Sequence, residues 1–228
     1  MNALAIDCSV SKITIAAKKE NQMVKLTLDI GSRQSEKLLP AIDYVMKELE
    51  LSPSQLNYTT CTLGPGSFTG LRLGSSALKA LTLSHNIDLY GIPSLDAYAY
   101  PYKNLHTTVL SVIEAKEDEF FFSLYNKGEK LTAEADELIE DILKKIDVEG
   151  EVFVCGSGAK TFVERASELS PLHKFNFIWP ENDTTESLFL IAEEQIRNKV
   201  SPLQDYDGPL YVRKSEAEIV LEKNKSKE

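Results

Sequence analysis

Histidine is nearly missing from this 228-residue chain: there are three, His85, His106 and His173, and none stands four positions from another. Cysteine is as sparse (Cys8, Cys61 and Cys155), so no convergent set of nitrogen and sulfur ligands for a metal ion can be read from the sequence. The cysteine number is odd and each lies among apolar residues, which reads as buried thiols of a reducing compartment, not as a disulfide framework. There is no Gly-x-Ser-x-Gly elbow and no Cys–His pairing, so a protease reading finds no nucleophile. No apolar stretch approaches the roughly 18–20 residues that span a bilayer. The first residues show neither a basic region nor a small-residue cleavage site, and a cytoplasmic protein is expected. Positive charge is in deficit too: 25 Lys and Arg stand against 35 Asp and Glu, a formal charge of −10. A chain that grips nucleic acid unaided concentrates basic residues to neutralise phosphates. Here they are scattered among acids, so contact with nucleic acid would run through another protein.

What is present has the order of an α/β protein. Ala3 to Ile6, Ile13 to Ala17 and Val24 to Ile30 read as three strands, with a turn at Asn21-Gln22. Ser35 to Glu50 reads as a helix whose Leu38, Ile42, Val45 and Leu49 share one face, capped by Ser35. Pro40 predicts a kink or a late start there. Leu56 to Leu63 is the next strand and Leu71 to Ser84 the second helix; Asp88 to Ile92 is a strand, and Ser94 caps a short helix through Tyr100. Pro101 to Asn104 is the expected lobe boundary. Beyond it, Thr107 to Ala115, Glu119 to Tyr125 and a segment near Lys130 read as strands, followed by a helix over Asp136 to Lys145. Val152 to Cys155 (strand), Lys160 to Leu169 (helix), Phe175 to Trp179 (strand) and Thr184 to Lys199 (helix) complete the pattern. The division expected is a first lobe over 1–103, a second over 104–213, and a charged tail over 214–228.

The most informative stretch is Leu63-Gly64-Pro65-Gly66-Ser67-Phe68-Thr69-Gly70-Leu71-Arg72-Leu73-Gly74. A strand, a glycine turn and a helix can aim backbone N–H groups at an anion. Neither the Lys-Ser/Thr pair of a P-loop nor the dinucleotide spacing follows. Gly64, Gly66 and Ser67 are therefore either an anion site or only a tight turn. Gly70, Gly74, Ala77 and Leu81 share a face of the second helix, and glycine there costs about 0.5–1 kcal/mol against alanine. A close contact must compensate, either with the chain's own sheet or with a partner protein.

The glycine run closely resembles the signature of the bacterial TsaB (YeaZ) family. Leu4-Ala5-Ile6-Asp7 with Ser9, Ser35-Glu36-Lys37-Leu38-Leu39-Pro40, Gly156-Ser157-Gly158 and Pro209-Leu210-Tyr211-Val212-Arg213 agree with it in order. The resemblance implies an actin-like (ASKHA, ribonuclease H-like) α/β fold of two lobes, each a mixed sheet flanked by helices. It also implies a non-catalytic subunit that binds and activates the paralogous TsaD-type transferase in making threonylcarbamoyladenosine on tRNA. A TsaE-type ATPase and a TsaC-type enzyme are the further participants, and self-pairing into a homodimer is the other use of the same helices. The partner surface expected is Leu38, Ile42, Met46 and Leu49 with Gly70, Gly74, Ala77 and Leu81. No cofactor is expected of the chain alone, although ATP or ADP at a subunit interface near Gly64, Gly66 and Ser67 fits the loop.

In actin-like kinases an acid at the position of Asp7 helps to hold a hydrated metal, but Asp7-Cys8-Ser9 lacks the glycine that follows it. Glu114 and Lys116 depart from the Asp-Ala-Arg usual in TsaB relatives. The His pair of the catalytic paralogue has no counterpart around Gln34 and Ser35. Two other functions stay open to the same residues: a stand-alone actin-fold ATPase or phosphotransferase relying on Asp7, and a module that captures a small anion on the glycine loop.

Overall fold

The computed structural model describes residues 1–146, 150–178 and 183–213. Strands β1 (Ala3–Asp7), β2 (Ile13–Lys19) and β3 (Gln22–Leu28) form an antiparallel meander, and helix α1 (Gln34–Glu48) follows. Strand β4 (Tyr58–Gly64), helix α2 (Phe68–His85) and strand β5 (Asp88–Pro93) complete a five-stranded sheet of order β3-β2-β1-β4-β5, in which β1, β4 and β5 run parallel. Alternate residues of a strand face opposite sides, and here both sides are covered. Leu4, Ile6, Ile13 and Ile15 pack under α1 and α2 with Leu38, Ile42, Val45 and Leu78. The other face carries Ala3, Ala5 and Ala16, small residues that leave room for larger side chains from elsewhere. A sheet buried on both faces explains why Ala3 to Ile6 and, but for Thr14, Ile13 to Ala17 read as apolar runs, whereas edge strand β3 alternates.

Helix α3 (Ser94–Ala99) leads into the second lobe. Strands β6 (Thr108–Glu114), β7 (Glu119–Asn126), β8 (Glu129–Lys130) and β9 (Ala135–Leu138) are followed by α4 (Ile139–Leu143), β10 (Glu151–Cys155), α5 (Ala159–Leu169) and β11 (Lys174–Phe177). The six-stranded sheet has the order β11-β10-β6-β7-β8, with β9 on β7. One face packs on α4 and α5 through Phe120, Phe122, Ile142 and Phe162. The other meets α3, where Leu95, Tyr98 and Ala99 lie against Val109, Ile113 and Phe121 and join the two lobes.

The last helix among the described residues, α6 (Thr185–Arg197), corrects the expected division. Residues 185–210 do not complete the second lobe. Leu188, Phe189 and Ala192 fill the alanine-lined face of the first sheet, against Tyr58, Tyr90 and Ile92. The segment after it also stays with the first lobe, through Leu203 N–H to the Leu89 carbonyl (2.8 Å) and Leu210 N–H to that of Leu63 (2.7 Å). The first lobe is thus built from both ends of the chain, with the second lobe inserted. The tail expected over 214–228 lies outside the described residues.

Three local expectations also shift. Helix α1 starts at Gln34 with Arg33 at its N-cap, so Ser35 lies inside the helix and Pro40 does not delay its start. Pro40 is solvent-exposed, so water can serve the carbonyl its ring leaves without an N–H. The helix read over Asp136 to Lys145 is in fact β9 followed by the short α4, because Ala135–Leu138 adds to the free edge of β7. Among the described residues no helix is long and apolar enough to cross a membrane.

Candidate functional site

The glycine run folds against the end of the first strand. Gly66 has φ 152°, and a Cβ there would sit 2.2 Å from the Ser9 carbonyl oxygen. At Gly70 it would sit 2.1 Å from the Cys8 carbonyl oxygen. Only hydrogen fits in either place, so the N-terminal end of α2 lies flat on Cys8 and Ser9. The Ser67 amide donates to the Ser9 carbonyl (2.6 Å), and the Ser67 hydroxyl caps α2 by accepting from the Gly70 amide. Of the two readings left open for Gly64, Gly66 and Ser67, these contacts favour the tight turn: the Ser67 amide is committed inside the chain.

The same contacts answer what compensates the helical glycines. A Cβ on Gly74 would lie 3.3 Å from Cys8 Sγ and 3.4 Å from Ile6 Cγ2. Gly70 and Gly74 therefore serve the chain's own core and are not surface. Leu38, Ile42, Met46 and Leu49 are likewise buried under their own sheet, and Ala77 and Leu81 are half-buried beside it. The eight residues expected to face a partner are the inner faces of α1 and α2. A stripe read from helical spacing shows which side is apolar, and here the chain's own sheet covers most of it, β2 and β3 under α1 and chiefly β4 under α2. The outer faces carry Leu39 and Tyr44 on α1 (66% and 51% exposed) and Leu83 on α2 (70% exposed).

Asp7 is the most heavily bonded side chain of the region. Its Oδ1 accepts from the Ser9 amide (2.8 Å), the Ser9 hydroxyl (2.7 Å) and the Thr62 hydroxyl (2.9 Å). Its Oδ2 accepts from the Thr184 hydroxyl (2.5 Å). Asp7, Ser9, Thr62 and Thr184 are all buried, and they tie β1, β4 and the start of α6 together. A carboxylate serving a hydrated cation must keep lone pairs turned outward. Asp7 is buried, does not line the cleft between the lobes, and turns both oxygens to donors of its own chain, so it is not presented as a ligand for a cation there. Among the described residues no His, Cys, Asp and Glu cluster has metal-holding geometry. Thr62 and Thr184 give no signal in the sequence, since an isolated threonine is too common to single out.

Between the lobes lies a cleft of about 950 Å³. The first lobe contributes the turn Ser9–Lys12 and the loop Pro65–Phe68; the second contributes Ile113–Lys116 with Ser157, Lys160 and Thr161. The two departures from the family pattern, Glu114 and Lys116, both face this space. Gly156-Ser157-Gly158 is the turn from β10 to α5, held by the Gly158 amide on the Val112 carbonyl (3.2 Å).

Residues 203–213 form a clasp across one side of the cleft. Lys79 Nζ donates to the carbonyls of Asp205 (2.7 Å) and Asp207 (2.5 Å), which shapes the loop before the crossing. The Tyr211 ring stacks on Phe68 at 4.5 Å, Arg72 lies 4.0 Å over Phe68, and Arg72 Nε donates to the Tyr211 hydroxyl (2.9 Å). On the far side Arg213 bridges Asp136 (2.5 Å) and Glu119 of the second lobe. The sequence marks this block only as a patch of family likeness and shows no role for it. Its function as a tie emerges from where α6 returns the chain.

The three histidines do not converge on this cleft: His85 ends α2 beside Ser84, and His173 stacks on Phe175 with Ser170 as its partner. The thiols are inert by placement. Burial pushes Cys61 and Cys155 up to about 12, the charge of Asp7 adding to the effect at Cys61.

Comparison with known proteins adds a lineage to this geometry. The family model described as "TsaD: tRNA N6-adenosine threonylcarbamoyltransferase" matches residues 30–220. The chain is 29% identical over 153 residues, covering 63% of it and 73% of the relative, to the tRNA threonylcarbamoyladenosine biosynthesis protein TsaB of Buchnera aphidicola from Schizaphis graminum. Proteins of the same name from Bacillus subtilis and Escherichia coli are 25% and 27% identical, and the matches span 55% and 57% of their lengths. Among solved structures, YeaZ from Pseudomonas aeruginosa superposes with a TM-score of 0.75 at 22% identity, covering 92% of this chain and 99% of that one. This likeness speaks for the fold. A Bacteroides thetaiotaomicron protein described as having an actin-like ATPase fold reaches 0.52 at 11% identity, over 83% and 95% of the two chains. The two-lobed architecture is thus actin-like, and the chain belongs to the family of the TsaD model and, within it, to the TsaB (YeaZ) proteins.

Proposed function

We propose that this chain is a non-catalytic subunit that binds a TsaD-type transferase and activates it in the threonylcarbamoyladenosine modification of tRNA. The observation that carries the reading is the internal commitment of Asp7. At the strand end where an actin-fold phosphotransferase would hold its cation, both carboxylate oxygens accept hydrogen bonds from Ser9, Thr62 and Thr184. A member of the family without that group is suited to act on another subunit. The names of its relatives, biosynthesis proteins for threonylcarbamoyladenosine, supply the pathway.

The partner surface in this reading is the outer side of α1 and α2, with Leu39, Tyr44 and Leu83 as its exposed apolar residues. Activation follows from differential binding: a subunit that docks better on the active arrangement of the transferase raises its population. The same surface would serve a homodimer in the free chain. A TsaE-type ATPase joins the assembly, and ATP or ADP binds where subunits meet. With a charge of −10, the chain reaches tRNA through the complex.

The test is reconstitution. The chain, a TsaD-type paralogue, the ATPase and the enzyme supplying threonylcarbamoyl-adenylate are mixed with unmodified tRNA, and modified nucleoside is measured. Omission of the chain should abolish turnover. Leu39→Glu and Leu83→Glu, made separately, should weaken co-purification with the paralogue while thermal midpoints stay within about 2 °C, as expected for surface changes. Full modification without the chain, or metal-dependent ATP hydrolysis by the chain alone, refutes the proposal.

A further inference from the structure

Two lobes of one chain move against each other unless their contact is large and apolar. Here the contact is an apolar seam along α3. Strand β6 runs the length of it: Ile113 lines the cleft at one end, and Val109 lines a second, smaller cavity of about 270 Å³ at the other. Helix α3 is anchored in the first lobe, where Ala97 joins the core of that sheet, and it lays Leu95, Tyr98 and Ala99 along the seam. Apolar contact is non-directional, so a seam of this kind can serve as a pivot. What sits at its two ends decides whether it does.

The cleft end is tied by four consecutive residues. Leu210 N–H bonds to the Leu63 carbonyl and Tyr211 stacks on Phe68, both in the first lobe. Val212 packs into the seam, and Arg213 takes Asp136 and Glu119 of the second lobe. The far end is tied twice. Asp96 of α3 accepts from the Tyr125 hydroxyl (2.5 Å) and from Lys130 (2.7 Å), on β7 and β8. Glu194 of α6 accepts from the Tyr100 hydroxyl (2.5 Å) and from Lys103 (3.1 Å), which fastens the linker after α3 to the first lobe. The second lobe rests on that same linker: the Phe153 ring of β10 lies 4.4 Å from the Tyr102 ring, and a Cβ on Gly128 would sit 3.1 Å from Lys103 Cβ.

We propose that these ties form a brace that fixes the angle between the lobes of the free chain, so that the cleft keeps one width instead of opening and closing. Val109 and Ile113 stand about 13 Å apart along β6, at about 3.3 Å per residue. Turning the lobes about the middle of the seam by about 10° therefore shifts each end by about 1 Å. That takes the 2.7 Å bond of Lys130 beyond hydrogen-bond range. A turn in either sense strains both ends, so the ties at one end suffice to hold the angle. The brace belongs to the chain by itself and does not rest on the partner role proposed above.

The experiment is a pulsed electron-spin distance measurement on the full chain, with nitroxides at Ser11→Cys and Glu164→Cys, exposed positions of the first and second lobes. The native thiols are buried and stay unlabelled, and an excess of unlabelled chain removes distances between molecules. Arg213→Ala frees the cleft end. Tyr125→Phe, Lys130→Ala and Glu194→Ala together free the far end, and leave Asp96, which is half-exposed, to water. The parent is expected to give one narrow distance, and each end freed alone should keep that width. Both ends freed together should broaden the distribution about twofold or more, or split it, as hinged domains do. Circular dichroism checks that each chain is folded. If the combined variant is not, Tyr211→Ala undoes the first-lobe grip in place of Arg213→Ala and is held to the same outcomes. A parent with two distances, a combined variant that stays below the twofold broadening, or one freed end that broadens as much as both would each overturn the proposal.

Discussion

Replacing Asp7 separates a structural role from a chemical one. Asp7→Ala removes an acceptor from the Ser9 amide and from the hydroxyls of Ser9, Thr62 and Thr184, all of them buried. A hydrogen bond to a charged group contributes about 1.5–3 kcal/mol, and an orphaned buried donor costs about 1–3 kcal/mol. The contributions do not add, because the group acts as a network and the hydroxyls can turn towards other acceptors. A net loss of about 3–4 kcal/mol is expected, within the range of broken buried networks. For a chain of this size each kcal/mol moves the thermal midpoint by about 2–4 °C, so the fall is roughly 6–16 °C. Asp7→Asn keeps an acceptor at the Oδ1 position and sets an amide opposite the Thr184 hydroxyl, which can rotate to accept; its cost is about 1–2 kcal/mol. Calorimetry of the isolated chain gives the order parent, Asn, Ala. The reconstituted modification assay, run at 20 °C where all three are folded, should show comparable rates. An Asp7→Ala chain that melts like the parent but leaves the assembly inactive would show that Asp7 does chemistry, and the reasoning would fail.

Three further outcomes are expected. Gly74→Leu should lower the thermal midpoint of the free chain, because a Cβ already lies 3.3 Å from Cys8 Sγ and each further methylene overpacks the contact, at about 1–3 kcal/mol in all; an unchanged midpoint would mean that face is open. Cys8, Cys61 and Cys155 should be silent to a thiol reagent at pH 8 in the folded chain and titrate fully after denaturation, since all are buried and raised; one fast thiol contradicts this. Burial alone would raise Asp183, but hydrogen bonds from Lys25 and from the Thr185 hydroxyl and amide bring it below its ordinary value. A carboxyl lowered on folding stabilises above its unfolded pKa of about 3.9 and loses that contribution as pH falls through the folded value. Asp183→Asn should therefore shrink the stability difference between pH 7 and pH 3 measured by urea unfolding, and an unchanged difference would refute the assignment.

The strands were legible because burial on both faces writes long apolar runs, and α2 because its glycines and small residues announce a close approach. What closely approached was not legible. Leu38, Ile42, Met46 and Leu49 show the same helical spacing whether they face a sheet or a partner, and only the position of β2 and β3 decides. β9 escaped because Ala135–Leu138 is short and acidic, and its strand state depends on pairing with the edge of β7 and not on its own propensity. At the site, Asp7 could be singled out as an acid at a strand end. Its partner Thr184 stands 177 residues away, a pairing that no local pattern encodes. The clasp failed to show for the same reason: stacking of Tyr211 on Phe68 needs the chain to come home after α6.

That return has a consequence for how the protein is made. A ribosome delivers Ala3, Ala5, Ala16, Tyr58, Tyr90 and Ile92 long before Leu188, Phe189 and Ala192, the residues that cover them. At about 5–20 residues per second the nascent sheet waits roughly 5–20 s with one oily side bare. A fragment ended at residue 103 would be stranded at that stage permanently. Only when α6 emerges does the amino-terminal lobe become a finished object, which makes the synthesis of residues 185–197 the step that closes its bare face.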